Sequence, residues 1–136
     1  MIIRQTKAIE LSKVLAFYNT CNYGGGTTLN DVIVCAEQDG KILGVVRLCI
    51  ENNILVLRGM QVDKQFQRQG IGKALLKHLN KIIGTQTCYC IPYGHLEHFY
   101  SSIGFEKIEE AHIPSHLLQR LHTYKQKDQS MIVMKK

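Results

Sequence analysis

The sequence lacks the long apolar segment that a membrane-spanning helix requires. No run approaches the roughly 20 apolar residues that cross a bilayer, and the N-terminal residues lack the apolar core of a secretory signal peptide. Internal repeats, linkers and low-complexity tracts are also absent. We therefore expect one domain over residues 1–136, located in the cytoplasm and without a membrane partner.

The sequence also lacks an even set of cysteines. Its five cysteines lie mostly in apolar, strand-like segments, which is typical of reduced thiols and not of a disulfide framework. Cys88 and Cys90, followed by His95 and His98, raise the question of a metal site. Their spacings differ from those of common zinc sites, so we predict no metal and expect the thiols to pack against a helix.

No Lys/Arg run is present, although the net charge is +6, with 17 basic and 11 acidic side chains. Such an excess favours an anionic partner, which is either a small ligand or a nucleic acid. Because the basic residues are scattered along the chain, we expect an anionic small ligand and no nucleic acid.

The apolar pattern that is present predicts an α/β domain in the order β-α-β-β-β-α-β-α-β-α-β. The strands are predicted at residues 1–5, 32–37, 42–50, 54–62, 88–91, 105–108 and 131–134. Amphipathic helices are predicted after residue 6, at about 70–83 and 96–103, and from residue 114. Strands 54–62 and 88–91 flank a helix and should be parallel, so the sheet is mixed.

Several local features refine this prediction. Thr6 is placed to cap the first helix, whose apolar face comprises Leu11, Val14, Leu15 and Tyr18. Asp39-Gly40 predicts a tight hairpin turn. Residues 22–28 contain three consecutive glycines and predict a flexible loop, which either closes over a substrate or simply connects two elements.

The first motif lies between strand 54–62 and the following helix. Gly70 and Gly72 stand at the helix start, where backbone N–H groups have no intrahelical partner and the macrodipole is positive. Without a Cβ, glycine lets an anion approach these donors, and nearby Arg68 and Lys73 add charge. The stretch matches neither the P-loop nor the dinucleotide fingerprint. It predicts a phosphate site, the alternative being a plain strand–helix turn.

The pattern Gln67-x-x-Gly70-x-Gly72 resembles the acyl-CoA-binding motif of the GCN5-related N-acetyltransferases (GNAT). A second motif, Phe99-Tyr100-x-x-x-Gly104-Phe105, follows the next strand, as it does in that family. The two motifs stand in the family's order on the expected elements. The resemblance covers essentially the whole chain and implies the GNAT fold: a mixed, mostly antiparallel sheet with splayed central strands and flanking helices.

The resemblance implies an acetyl-CoA-dependent N-acetyltransferase that acts on a primary amine, most simply of a small metabolite, by direct attack. It implies that Tyr100 protonates the departing thiolate, although a tyrosine on an apolar helix face usually only packs. The cofactor-binding residues it implies are Met60, Gln61, Val62, Gln67, Arg68, Gln69, Gly70, Ile71, Gly72, Lys73 and Tyr93.

The chain departs from the family pattern at two places. Tyr93 stands where many relatives carry an asparagine, and no acidic residue stands at 58–61, where many relatives carry a glutamate. Glu51, His95 and His98 are the remaining candidates for a general base. Two alternatives to a small-molecule enzyme follow: a non-catalytic acyl-CoA-binding module, and an acetyltransferase of peptides or proteins.

Two arginines bear on the acceptor. Arg47 and Arg58 lie on strands near the expected cleft, where they either recognise a substrate carboxylate or form ordinary pairs at the edge of the core. The sequence identifies neither the acceptor nor the oligomeric state, and it leaves a homodimer open.

Overall fold

The computed structural model describes residues 1–136 and forms one seven-stranded sheet in the order β1-β2-β3-β4-β5-β7-β6. The strands are β1 Ile2–Gln5, β2 Val32–Gln38, β3 Lys41–Glu51, β4 Ile54–Val62, β5 Cys88–Cys90, β6 Glu106–Lys107 and β7 Met134–Lys135. The helices are α1 Leu11–Thr20, α2 Ile71–Ile83, α3 Glu97–Ser101 and α4 Ser115–Lys125. The predicted order of elements and the mixed α/β class are confirmed.

Tight turns set the register of the three long strands. Asp39 and Gly40, which connect β2 to β3, have φ values of +52° and +76°. Asn52 and Asn53, which connect β3 to β4, have φ values of +50° and +63°. Such turns match the twist of antiparallel strands, and Asn, Asp and Gly tolerate them best. The sequence therefore places an antiparallel meander at the centre of the sheet.

Side-chain alternation divides the core between the two faces of the sheet. On one face, Leu57, Cys88 and Cys90 pack with α2 and with Tyr100 of α3. On the other face, the neighbouring residues Val56 and Tyr89 pack with α4, and α1 covers β2 and β3. Helices α2 and α3 thus lie opposite α1 and α4, and β4 and β5 contact both layers.

Strands β4 and β5 are hydrogen-bonded over a short stretch only. Leu55 lies opposite Cys88 and Val56 opposite Tyr89, in the sheet's one parallel pairing. Beyond these residues β4 continues to Val62, and its edge away from β3 has no strand partner. The predicted splay of the central strands is confirmed, and it opens a cleft between the two halves of the sheet.

A β-bulge interrupts β4 next to this cleft. Its pairing with β3 shifts by one residue between Val45 and Arg47, so two residues of β4 lie opposite one of β3. Gly59 lies in the bulge with φ +67°, and its carbonyl accepts a hydrogen bond of 2.8 Å from the Tyr18 hydroxyl. A Cβ on Gly59 would collide with Arg47 Nη1 and with that hydroxyl, so both the conformation and the space require glycine.

The start of α1 differs from the prediction. A 3-10 turn, Ala8–Glu10, precedes the helix, and Lys7 occupies its cap position. The Glu10 carboxylate accepts the Lys7 N–H at 3.4 Å and pairs with Arg4 of β1 at 3.0 Å. Since a carboxylate within the turn already binds the free backbone donor, the prediction of a Thr6 cap is wrong.

Two other details are also wrong. Leu15 was predicted to lie on the buried face of α1, but its side chain is 38% exposed. Phe17 is buried on that face instead. The last strand is β7, Met134–Lys135, and not residues 131–134. Met131 and Val133 precede β7 and pack against α4. Their apolar side chains gave the pattern of a strand, although only Met134 and Lys135 pair with neighbouring strands.

Replacing Gly59 with alanine is expected to destabilise the fold more than the same change at Gly70, the residue before α2. Both glycines have positive φ, +67° and +83°, so both changes share a backbone cost of about 1–2 kcal/mol. Nothing lies within 4 Å of a Cβ added at Gly70, whereas the collision at Gly59 adds about 1–3 kcal/mol. Urea unfolding of the two variants measures both losses, and equal losses would contradict the role given to the bulge.

Candidate functional site

A cavity of about 490 Å³, the α2 cavity, lies at the N-terminus of α2. Gly70 is the N-cap residue, and no side chain caps the helix. The Ala74 N–H is the first to bond within the helix, to Gly70 O at 3.0 Å, so the N–H groups of residues 71–73 have no intrahelical acceptor. With the macrodipole, this end of α2 suits an anion.

The loop that precedes α2 is held in a shape that serves this cavity. The Gln67 side chain donates from Nε2 to Val62 O at 3.2 Å and thereby ties the loop to the end of β4. Arg68 and Gly70 both have left-handed φ, +65° and +83°. A positive φ at a residue with a side chain is strained by about 1–3 kcal/mol, which fits a backbone shaped for a ligand.

Most of the residues predicted to bind the cofactor come together around the α2 cavity. Those that line it are Met60, Gln61, Val62, Gln67, Arg68, Gly70, Ile71, Gly72 and Lys73, together with Tyr100. Phe66, Leu96 and Phe99 line it as well, and the sequence analysis missed them. Their signal was an apolar side chain within or beside each motif.

Two predicted residues lie elsewhere. Gln69 is exposed and does not line the α2 cavity. Tyr93 lines a second cavity, which is described below, and its ring stacks on His95 at a centroid distance of 5.7 Å. The 3-10 turn Gly94–Leu96 that follows Tyr93 brings Leu96 to the α2 cavity in its place.

The second cavity, the α4 cavity, has a volume of about 550 Å³ and lies between the splayed strands and α4. Its charged lining residues are Arg58, Arg120, Lys127 and Asp128. It shares Met60, Gln61, Leu96 and Tyr100 with the α2 cavity. The two cavities therefore adjoin at the bulged part of β4 and at Tyr100.

Tyr100 is fixed by packing, yet its hydroxyl forms no hydrogen bond within the protein. Its ring makes near-perpendicular contacts with Phe99 and Phe105, at centroid distances of 4.9 Å and 6.2 Å. Gly104, with φ +103°, turns the chain so that Phe105 returns to the ring. Burial raises the pKa of Tyr100 above its ordinary value of 10, so the hydroxyl stays protonated at neutral pH.

Arg47 has a structural environment and does not line either cavity. Its side chain is 1% exposed and donates to the Tyr18 and Tyr23 hydroxyls at 3.4 Å and 3.1 Å. Its Nε lies 3.4 Å from the Asp31 carboxylate. Because Tyr18 also donates to the Gly59 carbonyl, Arg47 supports the bulge in β4. Of the two roles predicted for Arg47, the structure has the ordinary ion pair at the edge of the core.

Arg58 does line the α4 cavity, where it shares one carboxylate with Arg120. Glu51 Oε2 lies 3.1 Å from Arg58 Nη1, and Glu51 Oε1 lies 2.8 Å from Arg120 Nη2. Arg58 Nη2 donates to the Tyr124 hydroxyl at 3.5 Å. The sequence analysis missed Arg120 and Tyr124, which lie one helical turn apart on one face of α4.

None of the three candidate bases lines either cavity. Burial opposes ionisation of Glu51, but Arg120 and Arg58 outweigh it and hold the pKa of this carboxyl below its ordinary value. His95 and His98 are exposed. None of these three side chains is therefore placed to take a proton from the acceptor.

The cysteines and histidines of the metal hypothesis do not converge. Cys88 and Cys90 are buried in the core against α2, whereas both histidines are exposed. No group of three His, Cys, Asp or Glu side chains has a geometry that could hold a metal ion, and all five cysteines are unpaired. Burial raises the pKa of Cys88 to about 12, so this thiol is not a nucleophile at neutral pH.

Comparisons with known proteins agree with this geometry. A family model described as an acetyltransferase (GNAT) domain matches residues 30–107. No curated protein sequence matches the chain. None of the helices has the length and apolar character needed to cross a membrane.

The fold is similar to those of solved acetyltransferases. A GNAT acetyltransferase from Staphylococcus aureus is 23% identical, over 84% of this chain and 89% of that chain, with a TM-score of 0.64. Rv2747 from Mycobacterium tuberculosis, solved with CoA and NLQ, is 17% identical over 99% and 98%, with a TM-score of 0.71. An aminoglycoside 6'-N-acetyltransferase solved with coenzyme A is 16% identical over 100% and 96%, with a TM-score of 0.66.

The family model covers more than half of the chain, so the chain belongs to the GNAT family of acetyltransferases. It is an acetyl-CoA-dependent acyltransferase, with acetyl-CoA as its co-substrate. The predicted family, fold class, enzyme class and co-substrate are thereby confirmed. The free amides at the start of α2 and the side chains of Arg68 and Lys73 supply donors that suit the CoA phosphates.

A negative charge at Gly70 is expected to weaken acetyl-CoA binding strongly. Gly70→Glu and Gly70→Ala share the same backbone strain, so their difference isolates the carboxylate placed beside the free amides of α2. We expect Gly70→Ala to lose less than about tenfold in affinity and Gly70→Glu to lose at least a further tenfold. Calorimetric titration with acetyl-CoA measures both, and equal affinities in the two variants would refute a phosphate site at this helix end.

Proposed function

We propose that the protein transfers the acetyl group of acetyl-CoA to a primary amine of a small molecule, by direct attack within a ternary complex. The observation that carries this proposal is the meeting of two cavities at Gln61 and Tyr100. One cavity has the donors for a phosphate group, and the other has a polar, charged wall. Two substrates held in these cavities would meet at the shared residues.

The α2 cavity is proposed to hold the co-substrate. The pyrophosphate would accept hydrogen bonds from backbone amides in residues 67–73, with Arg68 and Lys73 adding positive charge. The extended arm of CoA would lie along the unpaired edge of β4 and bond its backbone as an added strand would. The edge concerned is the one that the splay of β4 from β5 leaves without a partner.

The thioester is proposed to lie at the β4 bulge, near Met60 and Gln61. A backbone N–H of this segment would polarise the carbonyl in the manner of an oxyanion hole. The amine nitrogen forms a bond to the carbonyl carbon, the bond between that carbon and sulfur breaks, and the electron pair leaves with the sulfur. Tyr18, which bonds the Gly59 carbonyl at 2.8 Å, would hold the bulge in the required geometry.

Tyr100 is proposed to donate a proton to the departing thiolate. Its hydroxyl has no competing partner, and its side chain lines both cavities. Packing between Phe99 and Phe105 fixes the direction of the hydroxyl. The tyrosine recovers its proton from solvent after the products leave.

The amine is proposed to enter in its neutral form and to lose its extra proton to water after the attack. This follows from the position of Glu51, which two arginines hold as an anion outside both cavities. At neutral pH only a small fraction of an alkylamine is neutral, so the rate should follow that fraction as the pH rises.

The acceptor is proposed to be a small molecule because the α4 cavity has the volume typical of small-molecule sites. A peptide amine remains the second candidate from the sequence. The predicted cytoplasmic location stays a prediction that the five unpaired thiols support, and the homodimer stays an open prediction.

An amine screen is expected to show acetyl transfer by the wild type. Release of the CoA thiol should require both acetyl-CoA and an amine, and mass spectrometry should detect an amine heavier by one acetyl group. Gly70→Glu serves as the matched variant that lacks co-substrate binding. A folded wild type that binds acetyl-CoA but releases no thiol with any amine or peptide would identify a non-catalytic binding module.

Tyr100→Phe is expected to lower kcat by about a hundredfold and to leave the KM for acetyl-CoA nearly unchanged, because phenylalanine keeps the packing and removes only the acid. Since burial raises the tyrosine pKa above 10, the acid form persists through pH 9. The wild-type rate should therefore rise from pH 6 to 9 without an alkaline fall. A change in kcat below threefold would leave Tyr100 as a packing residue.

A further inference from the structure

Arg58 of β4 and Arg120 of α4 form a pair of guanidinium groups on the wall of the α4 cavity, which we call the guanidinium pair. Glu51 is the one carboxylate that contacts both of them, at 3.1 Å and 2.8 Å. Two positive charges thus share one negative charge. The pair keeps an excess of one positive charge even when the nearby His116, whose Nε2 lies 3.6 Å from Glu51 Oε1, is neutral.

This excess charge is partly removed from water. The side chains of Arg58 and Arg120 are 27% and 23% exposed, and Arg120 Nη1 is buried without a hydrogen-bond partner. Arginine usually satisfies its five donors in such surroundings, because an unpaired buried donor is unfavourable. The pair therefore keeps an excess positive charge beside a cavity, with one carboxylate between two guanidinium groups.

No other acid in the cavity wall neutralises the pair. Asp128 lines the same cavity, but it accepts the Ser130 N–H at 2.8 Å and forms no ion pair with either arginine. Lys127 adds a further positive charge to the wall. The Tyr124 hydroxyl, 3.5 Å from Arg58 Nη2, supplies another polar group at the same place.

We propose that the acceptor amine carries a carboxylate, which binds at the guanidinium pair and the Tyr124 hydroxyl. This inference rests on the proposed acetyl transfer, since it places the amine of the same molecule toward Gln61 and Tyr100. Guanidinium groups bind carboxylates in a planar, two-point geometry, and the ligand charge would balance the excess left by Glu51. The acceptor class is therefore the amino acids in the broad sense: small molecules with one amine and one carboxylate.

The test compares amines that differ only in the carboxylate. ω-Amino acids of two to six carbons are paired with the n-alkylamines that have the same number of methylene groups, and L-amino acids are paired with their decarboxylated amines. Both series are assayed for acetyl transfer, and each is titrated calorimetrically into the CoA-saturated protein. We expect the best carboxylate-bearing amine to exceed its partner by at least tenfold in kcat/KM and in affinity.

Three variants separate anion binding from structural support. Arg120→Met leaves Arg58 and Glu51 as a balanced pair, so the fold should persist while the preference for the carboxylate falls at least tenfold. Arg120→Lys keeps the charge without the planar fork and should retain part of the preference. Glu51→Gln raises the excess charge and should strengthen binding of the carboxylate-bearing amine, a gain that a merely structural cluster would not produce. Lys81→Met, a change at an exposed position of α2, is the unaffected control.

The outcomes distinguish this inference from the proposed function. If amines are acetylated equally well with and without a carboxylate, the inference fails while acetyl transfer stands. If Arg120→Met and Lys81→Met have the same preference in folded protein, the guanidinium pair does not bind the carboxylate. If acetyl-CoA does not bind the wild type, the proposed function itself fails. Calorimetry of the 6-aminohexanoate and hexylamine pair provides a readout that does not depend on turnover.

Discussion

The separation of β4 from β5 after two paired residues is the constraint on which the rest of the site depends. A sheet normally satisfies the backbone groups of each inner strand on both sides, yet here β4 continues to Val62 without a neighbour on one side. The polar groups left along that edge need a partner from outside the protein. Both cavities open at this edge, and α2, α3 and α4 supply their walls.

The periodic parts of this architecture can be predicted from the sequence, because they follow from local rules. Alternating apolar residues define the long strands, Asp39-Gly40 and Asn52-Asn53 define their turns, and the two glycine motifs locate the anion site and the tyrosine. The Thr6 cap failed because the Glu10 carboxylate, which pairs with Arg4, accepts the Lys7 N–H and moves the cap position to Lys7. The last strand failed because tertiary packing against α4 buries Met131 without strand pairing.

The different environments of the two arginines on the central strands also could not be predicted from the local sequence. Arg47 and Arg58 lie opposite each other on β3 and β4, and each follows an apolar residue in its strand. Two tyrosines and Asp31 enclose Arg47. Arg58 instead pairs with Glu51, whose carboxylate also pairs with Arg120 of α4. Because α4 joins the sheet only through tertiary packing, its contribution to the site could not be read from its own apolar pattern.

The contacts of Arg47 with Tyr23 and Asp31 have a consequence for how this fold can change its acceptor. Both residues flank the glycine-rich loop, and Gly25 of that loop lines the α4 cavity. With both ends fixed to one guanidinium, the loop behaves as a closed chain whose entropy varies slowly with length, by about 0.6 kcal/mol per doubling. Insertions between the two anchors would therefore reshape the wall of the α4 cavity at small cost in stability and leave the sheet and the α2 cavity intact.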